Sequence, residues 1–113
     1  MGDGTAGFYL AEFNTAVRND CSIVALIGND YRWNAEVQIQ IDSFGADRVY
    51  GCELDATANY ADAAAGLGVY AVTVGAGDDL DAALATAITQ DGPACLNILI
   101  DSYAAPKFVP LKL

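Results

Sequence analysis

Between Phe8 and Arg18 the apolar positions Leu10, Phe13, Ala16 and Val17 recur at helical spacing, and Asn19-Asp20 breaks the pattern, which predicts an amphipathic helix. The run from Cys21 to Ile27 is apolar apart from Ser22 and is bounded by polar turn residues, as expected of a strand buried on both faces of a parallel sheet. It stops at Gly28-Asn29-Asp30. From Trp33 to Ile41 the periodicity is compatible with a strand or a helix, and helix is the preferred reading. Residues 42 to 57 are polar and punctuated by glycine, and so read as an irregular loop. An alanine-rich helix over Tyr60 to Leu67 is closed by Gly68, and the β-branched run Val69 to Val74 predicts a second strand. Asp78, with Asp81 three residues later, suggests an N-cap before Leu80, Ala83, Leu84 and Ile88, giving a helix that reaches Gln90. Gly92-Pro93 ends it, and Ala94 to Ile100 reads as a third buried strand.

Alternation of helices with buried strands implies an α/β fold, a three-layer α/β/α arrangement around a parallel sheet with crossover helices. The order has one irregularity. Ligand-binding turns in such sheets follow the carboxyl end of a strand, whereas here the first helix is preceded only by Gly2-Asp3-Gly4. The expectation is that the strand leading into Gly2 is missing.

Composition narrows the chemistry. At 113 residues and 54% hydrophobic, with mean hydropathy +0.28, the chain is a single domain with enough apolar material for a core. Its 15 acidic and 5 basic side chains give a formal charge of −10, which leaves no basic patch for a nucleic acid or an anionic membrane. No apolar run approaches the roughly 20 residues of a bilayer span and no leader pattern opens the chain, so a cytoplasmic location is expected. Cys21, Cys52 and Cys95 are odd in number and unmatched in spacing, and are read as buried small apolar residues. Without histidine, imidazole catalysis and ordinary zinc hydrolysis drop out. Carboxylates, a cofactor or both must carry any chemistry.

Gly2-Asp3-Gly4, then 24 residues, then Asn29-Asp30 is similar to the cofactor signature of thiamine diphosphate (ThDP) dependent enzymes. The helix containing Ala11 to Arg18, the apolar strand running into Gly28-Asn29-Asp30, the segment Asp78-Asp79-Leu80 with Ala83-Leu84, and Gly92-Pro93-Ala94 resemble the same family's C-terminal diphosphate-binding (PP) domain. Residues 1–113 therefore resemble one partial PP domain, closest in the stretch Asn29 to Glu36 to acetolactate-synthase-like sequences.

The resemblance implies ThDP and Mg²⁺. A diphosphate on an acidic protein needs a hard cation with oxygen ligands. The family pattern assigns these to the side chains of Asp3 and Asp30 and to the carbonyl of Arg32. It also implies that Gly4, Thr5 and Ala6, at a helix N-terminus, offer N–H groups to phosphate. Several plainer readings stand beside these. Asp30-Tyr31 fits a strand-ending turn, and the Arg32 side chain fits either a phosphate contact or a solvated charge. Trp33 fits a core anchor better than a substrate contact. Asp78, Asp79 and Asp81 fit a helix start better than a calcium loop, and Tyr103 and Pro106 look like terminal packing residues.

In the resembled enzymes a glutamate on a separate pyrimidine-binding domain activates the cofactor, and nothing in this chain replaces that domain. Two readings follow. One is a piece of a 2-oxo-acid decarboxylase, lyase or transferase that is inactive alone; the other is a free-standing, non-catalytic binding or self-assembling module. A missing strand should also leave an apolar groove or edge, and favour a homo-oligomer or a rearranged N-terminus that covers the gap.

Overall fold

A computed structural model describes the chain over residues 1–103. Its elements run α1 (Asp3–Tyr9), α2 (Glu12–Arg18), β1 (Val24–Asn29), α3 (Asn34–Phe44), a 3₁₀ turn (Ala46–Arg48), α4 (Tyr60–Gly66), β2 (Tyr70–Val74), α5 (Leu80–Ile88) and β3 (Ala94–Leu99). The strands form one parallel sheet in the order β1-β3-β2, with Leu26 and Val72 both level with Leu96. The last strand in sequence is thus central, and its Ala94, Cys95, Leu96 and Asn97 are all buried.

Strand alternation sorts the core into two halves. Ala25, Ile27 and Cys95 point to one face, where Ala6 and Phe13 of the first two helices and Ala64 of α4 cover them. Val74, Ala94 and Leu96 point to the other, where α5 lays Ala87, Ala83 and Leu84 over them. This is the three-layer α/β/α arrangement expected. Among the described residues no helix is long and apolar enough to cross a membrane.

The predicted first helix begins earlier than its apolar stripe and is broken in two. Gly2 is its N-cap, and at Leu10 and Ala11 the bonds tighten to i→i−3, from Phe13 N–H to Leu10 O and from Asn14 N–H to Ala11 O. The stripe Ala6, Leu10, Phe13 and Val17 nevertheless stays on one side and packs into the first core half. The predicted loop at 42 to 57 begins too early, because α3 continues to Phe44, where Gly45 (φ 95°) stops it, and the 3₁₀ turn follows. Only Val37 of α3 is buried, so no apolar stripe marked the helix's end. At α5 the cap is Asp79, which accepts the Ala82 N–H, while Asp78 accepts the Gly75 N–H one turn earlier.

The strand predicted as buried on both faces is buried on one. Val24 and Leu26 of β1 alternate outward and remain 38% and 41% exposed, because α5 covers only β2 and β3. Cys52 and Cys95 are buried as expected, but Cys21 lies exposed on the connection ahead of β1, beneath no helix. Tyr103 is likewise exposed, with its carbonyl accepting from Asn34 Nδ2; Pro106 lies outside the described residues.

Candidate functional site

The site forms where the first residues meet the carboxyl end of β1. Met1 runs beside that strand, its amino group donating to Leu26 O (2.7 Å) and its carbonyl accepting from Gly28 N–H (2.9 Å), and Gly2 pairs with Gly28 in parallel. Two residues therefore do what a strand end does in a parallel α/β sheet, delivering the N-terminus of α1 to the crevice beyond the strand ends. An open cavity of about 400 Å³ lies there, lined by Asp3, Gly4, Thr5, Asp30, Arg32 and Trp33 among others.

Asp3 is the least ordinary of these. It sits in the first turn of α1, only 1% exposed, and its Oδ2 is buried with no hydrogen-bond partner. Burial pushes its pKa above the usual carboxylate range, the Gly4 N–H opposes that shift, and the charge of Asp30 adds to it. An orphaned buried carboxylate oxygen is costly unless a cation or proton takes it.

Asp30 is aimed by the turn around it. Asn29 Oδ1 accepts the Tyr31 N–H at 3.0 Å, and Tyr31 adopts a left-handed conformation, φ 55°, uncommon outside glycine. On the far side Asp30 Oδ2 accepts from Ser102 Oγ at 2.8 Å. Downstream, the Trp33 N–H donates to Cys52 O and the Leu54 N–H to Tyr31 O, which brackets a bridge between Arg32 and Glu53. No N–H among the described residues bonds the Arg32 carbonyl. The Arg32 guanidinium makes a two-pronged ion pair with Glu53, which lowers the Glu53 pKa. Its side chain is thus ion-paired while remaining partly exposed.

The second glycine of the opening triplet has a steric reason. A Cβ at Gly4 would lie 2.9 Å from the Trp33 indole, which also packs on Phe8 with ring centroids 5.1 Å apart. Trp33 is half-buried and anchors α1 to the turn after β1, outside both core halves. Ala6 does not join the cavity: its N–H is used by Gly2 O (3.0 Å) and its methyl is packed in the core. Of the residues implied for cofactor and metal, the structure gathers Asp3, Gly4, Thr5, Asp30 and Arg32 around one cavity, whose lining does not include Ala6.

Among the described residues no group of three or more His, Cys, Asp or Glu is placed to hold a metal. A cation here would rest on two carboxylates and a backbone carbonyl, a hard oxygen set that suits Mg²⁺ completed by phosphate and water and does not suit zinc. The orphaned Asp3 oxygen fits that group.

The model of the C-terminal TPP (thiamine pyrophosphate, the same compound as ThDP) binding domain of thiamine pyrophosphate enzymes matches residues 1–98. The chain belongs to that family. This TPP binding domain is 36% identical over 106 residues to 2-hydroxyacyl-CoA lyase 2 of Mus musculus, covering 88% of the chain and 16% of the lyase. It is 33% identical over 108 residues to the acetolactate synthase large subunit of Mycobacterium tuberculosis, covering 95% of the chain and 19% of the synthase. Its fold superimposes on the crystal structure of benzoylformate decarboxylase from Polynucleobacter necessarius with a TM-score of 0.76, at 17% identity, over 95% of the chain and 20% of the decarboxylase. The chain thus spans about a fifth or less of the relatives it matches.

Sequence reasoning passed over Asn97, Thr73 and Asn59, which connect to the site through Asn29. The signal was present, since Asn97 is the single polar residue in the run Ala94 to Ile100.

Proposed function

We propose that this domain holds the diphosphate end of ThDP through Mg²⁺ in an enzyme of the acetolactate synthase and 2-hydroxyacyl-CoA lyase kind, and that the chain by itself does not turn over substrate. Asp3, Asp30 and the Arg32 carbonyl would take the metal, and the first N–H groups of α1, at Gly4 and Thr5, would face phosphate oxygens. ThDP, when bound, supplies stabilisation of the carbanion next to a carbonyl. The chain's own share is to bind and orient the metal-bound diphosphate. The observation that carries the reading is the partnerless, buried Asp3 Oδ2 on the cavity wall.

Inactivity alone is supported by the short span of the chain, about a fifth or less of the relatives it matches. Calorimetric titration of the chain with ThDP should give heat with Mg²⁺ and little without it. Absence of heat at millimolar ThDP with Mg²⁺ would sink the binding claim.

A second reading, a self-assembling module, draws on the uncovered side of β1. A groove of about 260 Å³ lined by Met1, Tyr9, Leu10, Phe13, Ile23 and Ala25 adjoins it. The groove adjoins the Asp3 cavity, and Thr5 lines both.

A further inference from the structure

Four polar side chains run in single file across the sheet on the face that carries α1 and α4. Asn29 Nδ2 donates to Asn97 Oδ1 (3.1 Å), Asn97 Nδ2 to Thr73 Oγ1 (3.4 Å), and Thr73 Oγ1 to Asn59 Oδ1 (3.1 Å). The file thus crosses β1, β3 and β2 in turn and ends on the residue that caps α4.

Backbone groups at both ends set its direction. The Tyr31 N–H can only donate, so Asn29 must turn its Oδ1 toward it and its Nδ2 toward Asn97. At the other end the Ala61 and Asp62 N–H groups require Asn59 to present Oδ1, so Thr73 must donate to it and accept from Asn97. Asn97 stands where the two requirements meet, and its amide satisfies both in one orientation only.

Asn97 does not earn its place as packing. It is 1% exposed, in register with Ile27 and Thr73 and flanked by the apolar Leu96 and Ile98. A buried amide there costs desolvation that a leucine would avoid. We propose that Asn97 is a positioning residue for the metal-binding turn. It holds the Asn29 amide in the orientation that captures the Tyr31 N–H, and so keeps Tyr31 left-handed and delivers Asp30 and the Arg32 carbonyl to the cavity. The inference rests on the reading of that cavity as a metal and diphosphate site.

The test compares Asn97→Leu with the double variant Asn97→Leu/Asn29→Leu in the full chain. Two quantities are read: amide exchange at Tyr31 relative to global stability, and Mn²⁺ affinity in the presence of ThDP, followed by electron paramagnetic resonance. In Asn97→Leu the Asn29 amide loses its acceptor, so Tyr31 should lose its exchange protection, and Mn²⁺ affinity should fall roughly 10-fold or more, as for other residues that orient metal ligands. The double variant removes both amides and leaves no side-chain amide without its partner, so stability should largely recover. The Tyr31 N–H still lacks its acceptor, so protection and Mn²⁺ affinity should stay low. Recovery of both with stability would show a merely structural role, and unchanged Tyr31 protection in Asn97→Leu would overturn the proposal. Absence of Mn²⁺ binding by the unmodified chain would instead sink the site reading, while Tyr31 exchange would still decide whether Asn97 holds the turn.

Discussion

Asp3 carries a conflict that a single atom makes measurable. Its carboxylate is buried with one oxygen unpaired, and that burial raises its pKa above the ordinary value. With a raised folded pKa, its contribution to stability is complete below the ordinary carboxylate value of 3.8 and is lost as pH rises through the raised value. At neutral pH the group therefore opposes folding until a cation arrives. Asp3→Asn should stabilise the metal-free chain by on the order of 1 kcal/mol and abolish the gain in Tm on adding Mg²⁺ with ThDP. Thermal unfolding with and without both ligands checks this, and an undiminished Mg²⁺ effect in the variant would exclude Asp3 as a ligand. Cys95 shows burial acting alone: its thiol is pushed up to about 11 and stays protonated.

At the scale of elements, α1 and the turn after β1 are joined by one aromatic contact. The Trp33 indole lies flush against Gly4 and tilts 50° onto Phe8, so it ties the N-terminus of the helix to the residues beyond Asp30. Gly4→Ala puts a methyl into that ring and should destabilise the chain by about 1 to 3 kcal/mol through overpacking. Trp33 is the sole tryptophan, so its fluorescence reports the displacement without ambiguity. An unchanged emission spectrum together with unchanged stability would show that the indole is free to move aside. The triplet's first glycine differs: among the described residues a Cβ on Gly2 would meet nothing within 4 Å, and no contact there demands glycine.

In the whole molecule, among the described residues, the sheet has two edge strands, β1 and β2, and β1 is the more exposed in its apolar side chains. Beyond Met1 and Gly2, β1 has no neighbour on its outer side among the described residues, and by the alternation of a parallel ladder the Val24 N–H and C=O and the Leu26 N–H point that way. Val24 and Leu26 also leave their side chains uncovered, beside the exposed Ile23. Such an edge invites strand addition. The chain is therefore expected to self-associate, and Leu26→Lys, which places a charge on the edge, should shift it toward monomer in sedimentation or light scattering. A monodisperse monomer before substitution would contradict this.

The alternation of apolar runs with helical stripes was sufficient to specify a parallel α/β sheet, because a strand covered on its faces must be apolar and a covering helix must repeat every three to four residues. The spacing from Gly2-Asp3-Gly4 to Asn29-Asp30 was likewise legible, since one helix and one strand return the chain to the same sheet edge. Tertiary structure alone decided the rest. Periodicity records that a residue is buried but not beneath what, so the open face of β1 and the end of α3 were invisible. It also records no hydrogen bonds between residues 68 positions apart, such as Asn29 and Asn97. Whether Asp3 is orphaned depends on which groups the fold brings to its oxygens, and no local pattern encodes that.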